Sequence, residues 1–296
     1  MKRLARASIL AIILAVLPIQ AWAAELLIPV GRIVGLQLKT DTLTVAAFDD
    51  SLGHNAKKAG LRIGDELLKI EGQPIRDLED IQKALSKSDG PVTLTVRRGS
   101  READIPVTPQ QNKLGIYLRQ GVTGIGTITW YDPQTHRFAA LGHGVNTNKG
   151  LPLVMTQGQI FPAEILSVKI GKAGEPGQLK GSATPEAPCG ILEKNTPQGV
   201  FGTAQQPWLG EPLPAAEADE VCLGPATILS TVSGTTPQEY SVEIVKIYPT
   251  DREDGRNLLL KITDSTLLST TGGIVQGMSG SPILQNGRLV GAVTHV

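Results

Sequence analysis

Two short stretches carry residues able to do nucleophilic chemistry. In "QGMSGSP" Ser279 is held between Gly277 and Gly280 ahead of Pro282, and in "ALGHGV" His143 stands between Gly142 and Gly144. A serine attacks a carbonyl only if a base takes its proton, a third group orients that base, and backbone N–H groups receive the oxyanion. Gly277 and Gly280 permit a tight turn that can aim the N–H groups of Gly277 and Ser279 at one point. Ser281 is also beside a glycine, but it precedes Pro282, which biases it toward extended backbone rather than a nucleophile's strained turn. A G-x-S-G motif alone is usually an ordinary turn serine, so its company must decide.

Of the four histidines, His54 lies in a polar loop, His136 beside the Asp132-Pro133 turn, and His295 at the end of "GAVTHV". His143, at a strand end between glycines, is the one placed to present an imidazole. Spacing does not choose the acid. Glu193, Asp219, Asp251, Asp254 and Asp264 all lie between His143 and Ser279, and a triad acid need only be close in space. Asp264 ends the apolar run "LLLKI", which suits an orienting carboxylate, with an Asp that caps the turn "TDST" through its own side chain as the lesser alternative.

The elements that must position these groups read as mostly β. The chain has 296 residues, room for roughly two domains of ordinary size. Its 33 Gly and 20 Pro, set among many Val, Ile, Leu and Thr, indicate short strands joined by turns. The 28 basic and 28 acidic residues cancel, and no basic block stands out beyond the N-terminus, so nucleic-acid binding is set aside. Residues 1–24 pair a basic "MKRLAR" with an apolar run ending in "AWA", an export signal or a retained anchor that places the chain outside the cytosol. Cys189 and Cys222 could form a disulfide there or stay as two small buried residues, and neither has the partner spacing of a zinc site. No metal or cofactor is expected.

Residues 25–110 change texture. "AGLRIGDELLKIEGQPI" gives a turn at Gly60, Gly64 and Asp65 leading into a strand. Asp77 is a candidate N-cap for a helix with Leu78, Ile81, Ala84 and Leu85 on one face. "LTVRRGSREADIPV" reads as two strands turning at Gly99-Ser100, with Leu94, Val96, Ile105 and Val107 inward. This segment resembles a PDZ domain, a small α/β fold in which a peptide adds as an extra strand. On that resemblance residues 27–38 would supply the carboxylate-binding loop and the receiving strand. A module that only packs or tethers remains open.

The order of "ALGHGV" and "GGIVQGMSGSPILQNGRLVGAV" is similar to the chymotrypsin-like serine proteases. With the export segment, the PDZ-like domain, "GIGTITWYDP", "GVFGT" and "LLLKITDSTLL", the chain resembles the stage IV sporulation protein B (SpoIVB) peptidase family from Leu26 to Val296. The resemblance implies a β-barrel serine protease domain over residues 111–296, with His143 as base, Ser279 as nucleophile and Asp264 as acid. It sets Thr294 and His295 on a substrate-lining strand. It implies a membrane-tethered regulatory protein as substrate, cleaved between the two membranes around a bacterial forespore so that processing of a sigma factor follows. Family members continue past "THV", so the sequence is expected to be truncated at its C-terminus. Two other readings stay in view. An extracytoplasmic quality-control protease would place its PDZ domain after the protease, opposite to the order here, and a non-catalytic PDZ scaffold would not need His143, Asp264 and Ser279 to converge.

Overall fold

The computed structural model describes residues 25–147, 150–184, 187–248 and 255–296. Residues 1–24, read in the sequence as an export signal or anchor, and two of the candidate carboxylates, Asp251 and Asp254, lie outside them. The chain opens with β1 (Leu26–Pro29) and β2 (Ile33–Lys39). A small unit follows: β3 (Leu43–Phe48), α1 (His54–Lys58), β4 (Glu66–Ile70), β5 (Gln73–Pro74), α2 (Leu78–Leu85), β6 (Val92–Arg98), β7 (Arg101–Val107) and β8 (Ile116–Arg119). Its sheet has the order β7-β6-β4-β3-β8, with β5 on β4. Val92, Leu94 and Val96 point inward from β6 and are fully buried, and Ile81 and Leu85 of α2 close over them. Asp77 caps α2, accepting from Asp80 N at 3.0 Å, while Leu78 in the first turn stays half exposed.

Asp65 holds this unit's central turn. Its carboxylate is 1% exposed and accepts from Arg62 N at 2.8 Å and from Arg98 Nε and a terminal guanidinium nitrogen, both at 2.7 Å. Arg98 also reaches Gly60 O, so the charged pair ties the β6 end to the loop after α1. A buried carboxylate is tolerated because its lone pairs are filled.

The rest of the chain forms two further units: β9 (Val122–Tyr131), β10 (Arg137–Ala140), β11 (Gln157–Lys169), β12 (Gln178–Ala183), β13 (Gly190–Thr196), β14 (Gly199–Ala204) and β15 (Leu213–Pro214), then β16 (Gly224–Ser230), β17 (Gln238–Ile247), β18 (Leu258–Ile262), α3 (Ser265–Thr271), β19 (Pro282–Gln285) and β20 (Arg288–Ala292). The pairings β2–β9, β9–β10, β10–β14, β14–β13, β13–β11 and β11–β2 return to their start, a closed antiparallel ring around Leu36, Ile128, Phe138 and Val200. Closure removes the open edges that a sheet of this size would otherwise expose. The second unit is the sheet β18-β17-β16-β19-β20 around Ile228, Val242, Leu267 and Met278. It curls: a Cβ at Gly291 of β20 would stand 3.7 Å from the Leu258 side chain of β18. The far half of β11 leaves the ring to pair with β12 and, through Ile165, with Gly234 beside β17.

This topology moves a boundary. Residues 27–38 were expected to serve the PDZ-like unit, yet β1 pairs with β9 and β15, and β2 with β9 and β11. The PDZ-like unit is therefore inserted in the hairpin between β2 and β9, whose adjoining ends are Leu38 and Val122. At the return Gly121 has φ +92°, and a Cβ there would stand 1.8 Å from Leu38 O, so the crossing requires glycine. The apolar alternation of residues 27–38 suits either sheet, and only long-range pairing decides between them. The two edges of the PDZ-like sheet are β7 and β8. Both thiols are free, with Cys189 on Ile160 O and Cys222 on Glu220 O.

Candidate active site

Ser279 projects from a turn rooted in both β units. Met278 before it is fully buried in the second core. Gly280 after it has φ +98°, and a Cβ there would meet Thr127 O at 2.1 Å and Leu141 N at 2.6 Å. The backbone of the serine turn thus lies flat on the strand ends that lead into "ALGHGV". Thr127 N donates to Ser279 O, and Leu141 N donates to Thr127 O, both at 3.1 Å. The glycines that read as a tight turn in the sequence also permit this close approach between the two units.

On the other side the turn is fastened to the end of β20. Gly280 N donates to Val293 O at 2.7 Å, Val293 N to Ser281 O at 2.9 Å, and the Ser279 hydroxyl to Thr294 O at 3.0 Å. Ser281 is fully buried against Ser230 at 2.8 Å, which removes it as a rival nucleophile. The N–H groups of Gly277 and Ser279 donate to no acceptor among the described residues.

His143 is part buried, and its Nδ1 lies 2.9 Å from Gly144 O. A carbonyl can only accept, so Nδ1 carries the proton and Nε2 keeps the lone pair a base needs. The His295 ring lies 5.5 Å from the His143 ring, with its own Nδ1 2.9 Å from Thr294 Oγ1. Gly142 completes the junction, because a Cβ on it would be 2.9 Å from Thr294 Cγ2. His143, Ser279, Thr294 and His295 therefore share one corner between the two β units. His54 and His136 do not join them, and His136 is instead bonded to Tyr131 Oη at 2.7 Å.

Asp264 is placed differently. It is the N-cap of α3, and its Oδ1 accepts from Leu267 N at 2.8 Å. Among the described residues no hydrogen bond joins it to His143. Its neighbour is Tyr240, whose phenol is held above its ordinary value by burial and then by the Asp264 charge. Thus all three candidate side chains rest on backbone atoms rather than on one another.

One contributor carried no sequence signal. Asn195 accepts from Val145 N at 2.8 Å and donates to Val145 O at 2.8 Å and Leu153 O at 2.9 Å, clamping the loop that carries His143. Its side-chain amide satisfies groups about 40 to 50 positions away in sequence, a relation that local pattern cannot reveal.

Family models cover both parts of the chain. The SpoIVB peptidase S55 family model matches residues 110–296, and a PDZ domain model matches residues 53–98. Among curated proteins, one named as a zinc metalloprotease (R01501) of Rhizobium meliloti (strain 1021) is 36% identical over 77 residues, 24% of this chain and 21% of that protein. One named as a CtpA-like serine protease of Staphylococcus aureus (strain COL) is 31% identical over 113 residues, 36% of this chain and 22% of that protein. The chain thus spans about a fifth of the length of these relatives. The described residues bring together no three His, Cys, Asp or Glu side chains that could hold a metal. With more than half of its length matched, the chain belongs to the SpoIVB peptidase S55 family, and it carries a PDZ domain.

Proposed function

We propose that this chain is an exported serine endopeptidase with Ser279 as nucleophile, His143 as base and Asp264 as acid. The observation that carries the reading is the junction itself. Two motifs distant in sequence pack backbone to backbone, and they bring a hydroxyl and an imidazole lone pair to one corner, in a turn whose Gly277 and Ser279 N–H groups have no acceptor among the described residues. In attack, Ser279 would release its proton to His143 Nε2 while the Gly277 and Ser279 N–H groups receive the oxyanion. This requires the hydroxyl to leave Thr294 O. A bound peptide supplies a reason to move, since its own N–H groups compete for that carbonyl. Catalytic hydrogen bonds often form fully only with substrate bound. For Asp264 the same step must turn the carboxylate toward His143.

The finer parts of the reading rest on the family and on the leader. A basic-then-apolar N-terminal segment supports action outside the cytosol, and membership of the SpoIVB peptidases supports a membrane-tethered regulatory protein of sporulation as substrate. The PDZ domain's edge strand β8 is one to which a peptide of that substrate could add. A scaffold without catalysis gives no reason for the junction to assemble. The test is labelling with diisopropyl fluorophosphate followed by peptide mapping. Modification should fall on Ser279 and disappear in Ser279→Ala, and it should slow strongly in His143→Ala. A wild-type protein that takes no label, or takes it elsewhere, overturns the reading.

A further inference from the structure

A cavity of about 290 Å³ opens between the two β units, beside the serine corner but not part of it. Trp130 and Phe201 form one wall, with ring centroids 6.4 Å apart, and Leu27 lies beside them. Val290 and Ala292 of β20 form the facing wall, and Gly142 completes it. No Asp, Glu, Lys, Arg or His lines the cavity. The volume falls just below the range of about 300–1,000 Å³ that buries whole small ligands, so it suits a single large side chain.

Its position ties it to the chemistry. Gly142 is joined directly to His143, and Ala292 lies two residues, about 7 Å along a strand, from Thr294, whose carbonyl holds the Ser279 hydroxyl. Ala292 and Gly142 are in close contact, since a Cβ on Gly142 would be 3.2 Å from Ala292 Cβ. β20 is also the last strand of its sheet, and its outer side is bridged to another segment at Leu289, through Ala215. An extended peptide running along the end of β20 could therefore place one side chain in the cavity and the adjoining backbone at Ser279.

We propose that this cavity is a specificity subsite, taking one aromatic or large aliphatic side chain of the substrate next to the scissile bond. This rests on the serine peptidase reading above, so the experiment must separate the two. Binding is measured by titration calorimetry on Ser279→Ala protein, which needs no turnover, using an extended hexapeptide series with Phe, Leu, Ala or Asp at each position in turn. One position should favour Phe or Leu over Ala and Asp by about 10- to 200-fold, the range in which apolar pockets discriminate side chains by size. Two further substitutions move the preference in opposite directions. Adding Ala292→Leu, which fills the cavity, should cut the Phe-to-Ala affinity ratio at least tenfold, and adding Phe201→Ala, which enlarges it, should shift the preference toward Trp. No size preference, or one that ignores both substitutions, overturns the subsite. Peptides that bind only after the residues before Leu26 are removed would also overturn it, because the chain itself would then be the occupant. Wild-type protein that fails to label with fluorophosphate while the Ser279→Ala protein still binds with this preference would sink the peptidase reading and leave the subsite standing.

Discussion

Replacing Asp264 separates two roles that one carboxylate has been given. As the cap of α3, Asp264 accepts one bond, from Leu267 N at 2.8 Å, in a helix of seven residues whose Leu267 and Thr271 are fully buried. Losing such a cap costs about 1 kcal/mol, within a range of roughly 0.5–2. For a unit of this size that lowers Tm by about 2–4 °C. Asn keeps an acceptor oxygen in the same place, so Asp264→Asn should melt within about a degree of wild type, and Asp264→Ala should show the full loss. Turnover tests the second role. If the carboxylate stabilises the imidazolium of His143 during attack, its neutral isostere fails as badly as Ala, and kcat should drop by about 10⁴ in both variants, some 5 kcal/mol. The assay is hydrolysis of a peptide carrying the family substrate's cleavage sequence, run beside melting curves. Turnover in Asp264→Asn within tenfold of wild type would refute the acid role. The Gly144 carbonyl, already 2.9 Å from His143 Nδ1, would then be the group that orients the base.

Three further outcomes follow from contacts elsewhere. Asn195→Ala removes all three bonds that clamp the His143 loop, so fluorophosphate labelling of Ser279 should slow at least tenfold and kcat should fall more than KM rises, both measured well below the melting temperature. Unchanged labelling would show the clamp to be structural only. Asp65→Ala breaks a buried charge-assisted network and should destabilise the PDZ unit by about 2–3 kcal/mol in a urea titration, with Ser279 labelling preserved. Asp49, beneath Tyr117 of β8, is held down to about 2 by the Ser51 hydroxyl and by the N–H groups of Leu52 and Ser51. Because its folded value lies below the unfolded one, near 3.8, the stability it contributes is fully present above about pH 4 and lost as pH falls through about 2. The Tm difference between wild type and Asp49→Asn should therefore hold above pH 4 and close below it.

Features that depend on neighbouring residues are legible in the sequence. Asp77 caps α2 because a short acceptor precedes an amphipathic run, and β19 turns into β20 at Asn286-Gly287, with φ +52° and +72°, because few residue pairs accept those angles. The glycines around Ser279 and the alternating apolar residues of β6 and β7 belong to the same class, since each signal and its cause lie within a few positions. Other features needed the tertiary structure. Residues 27–38 have a strand's pattern, but the pattern does not say which sheet they join, and only pairing with β9 and β11 assigned them to the closed ring. Asp264 reads as acid or cap because both roles ask for a carboxylate, and the resting structure shows the cap. The clamp at Asn195, the Thr294 carbonyl on the Ser279 hydroxyl and the apolar cavity join groups that are remote along the chain. Local sequence encodes the conformations that bring such groups within reach, and the packing of two separate β units decides which of them meet.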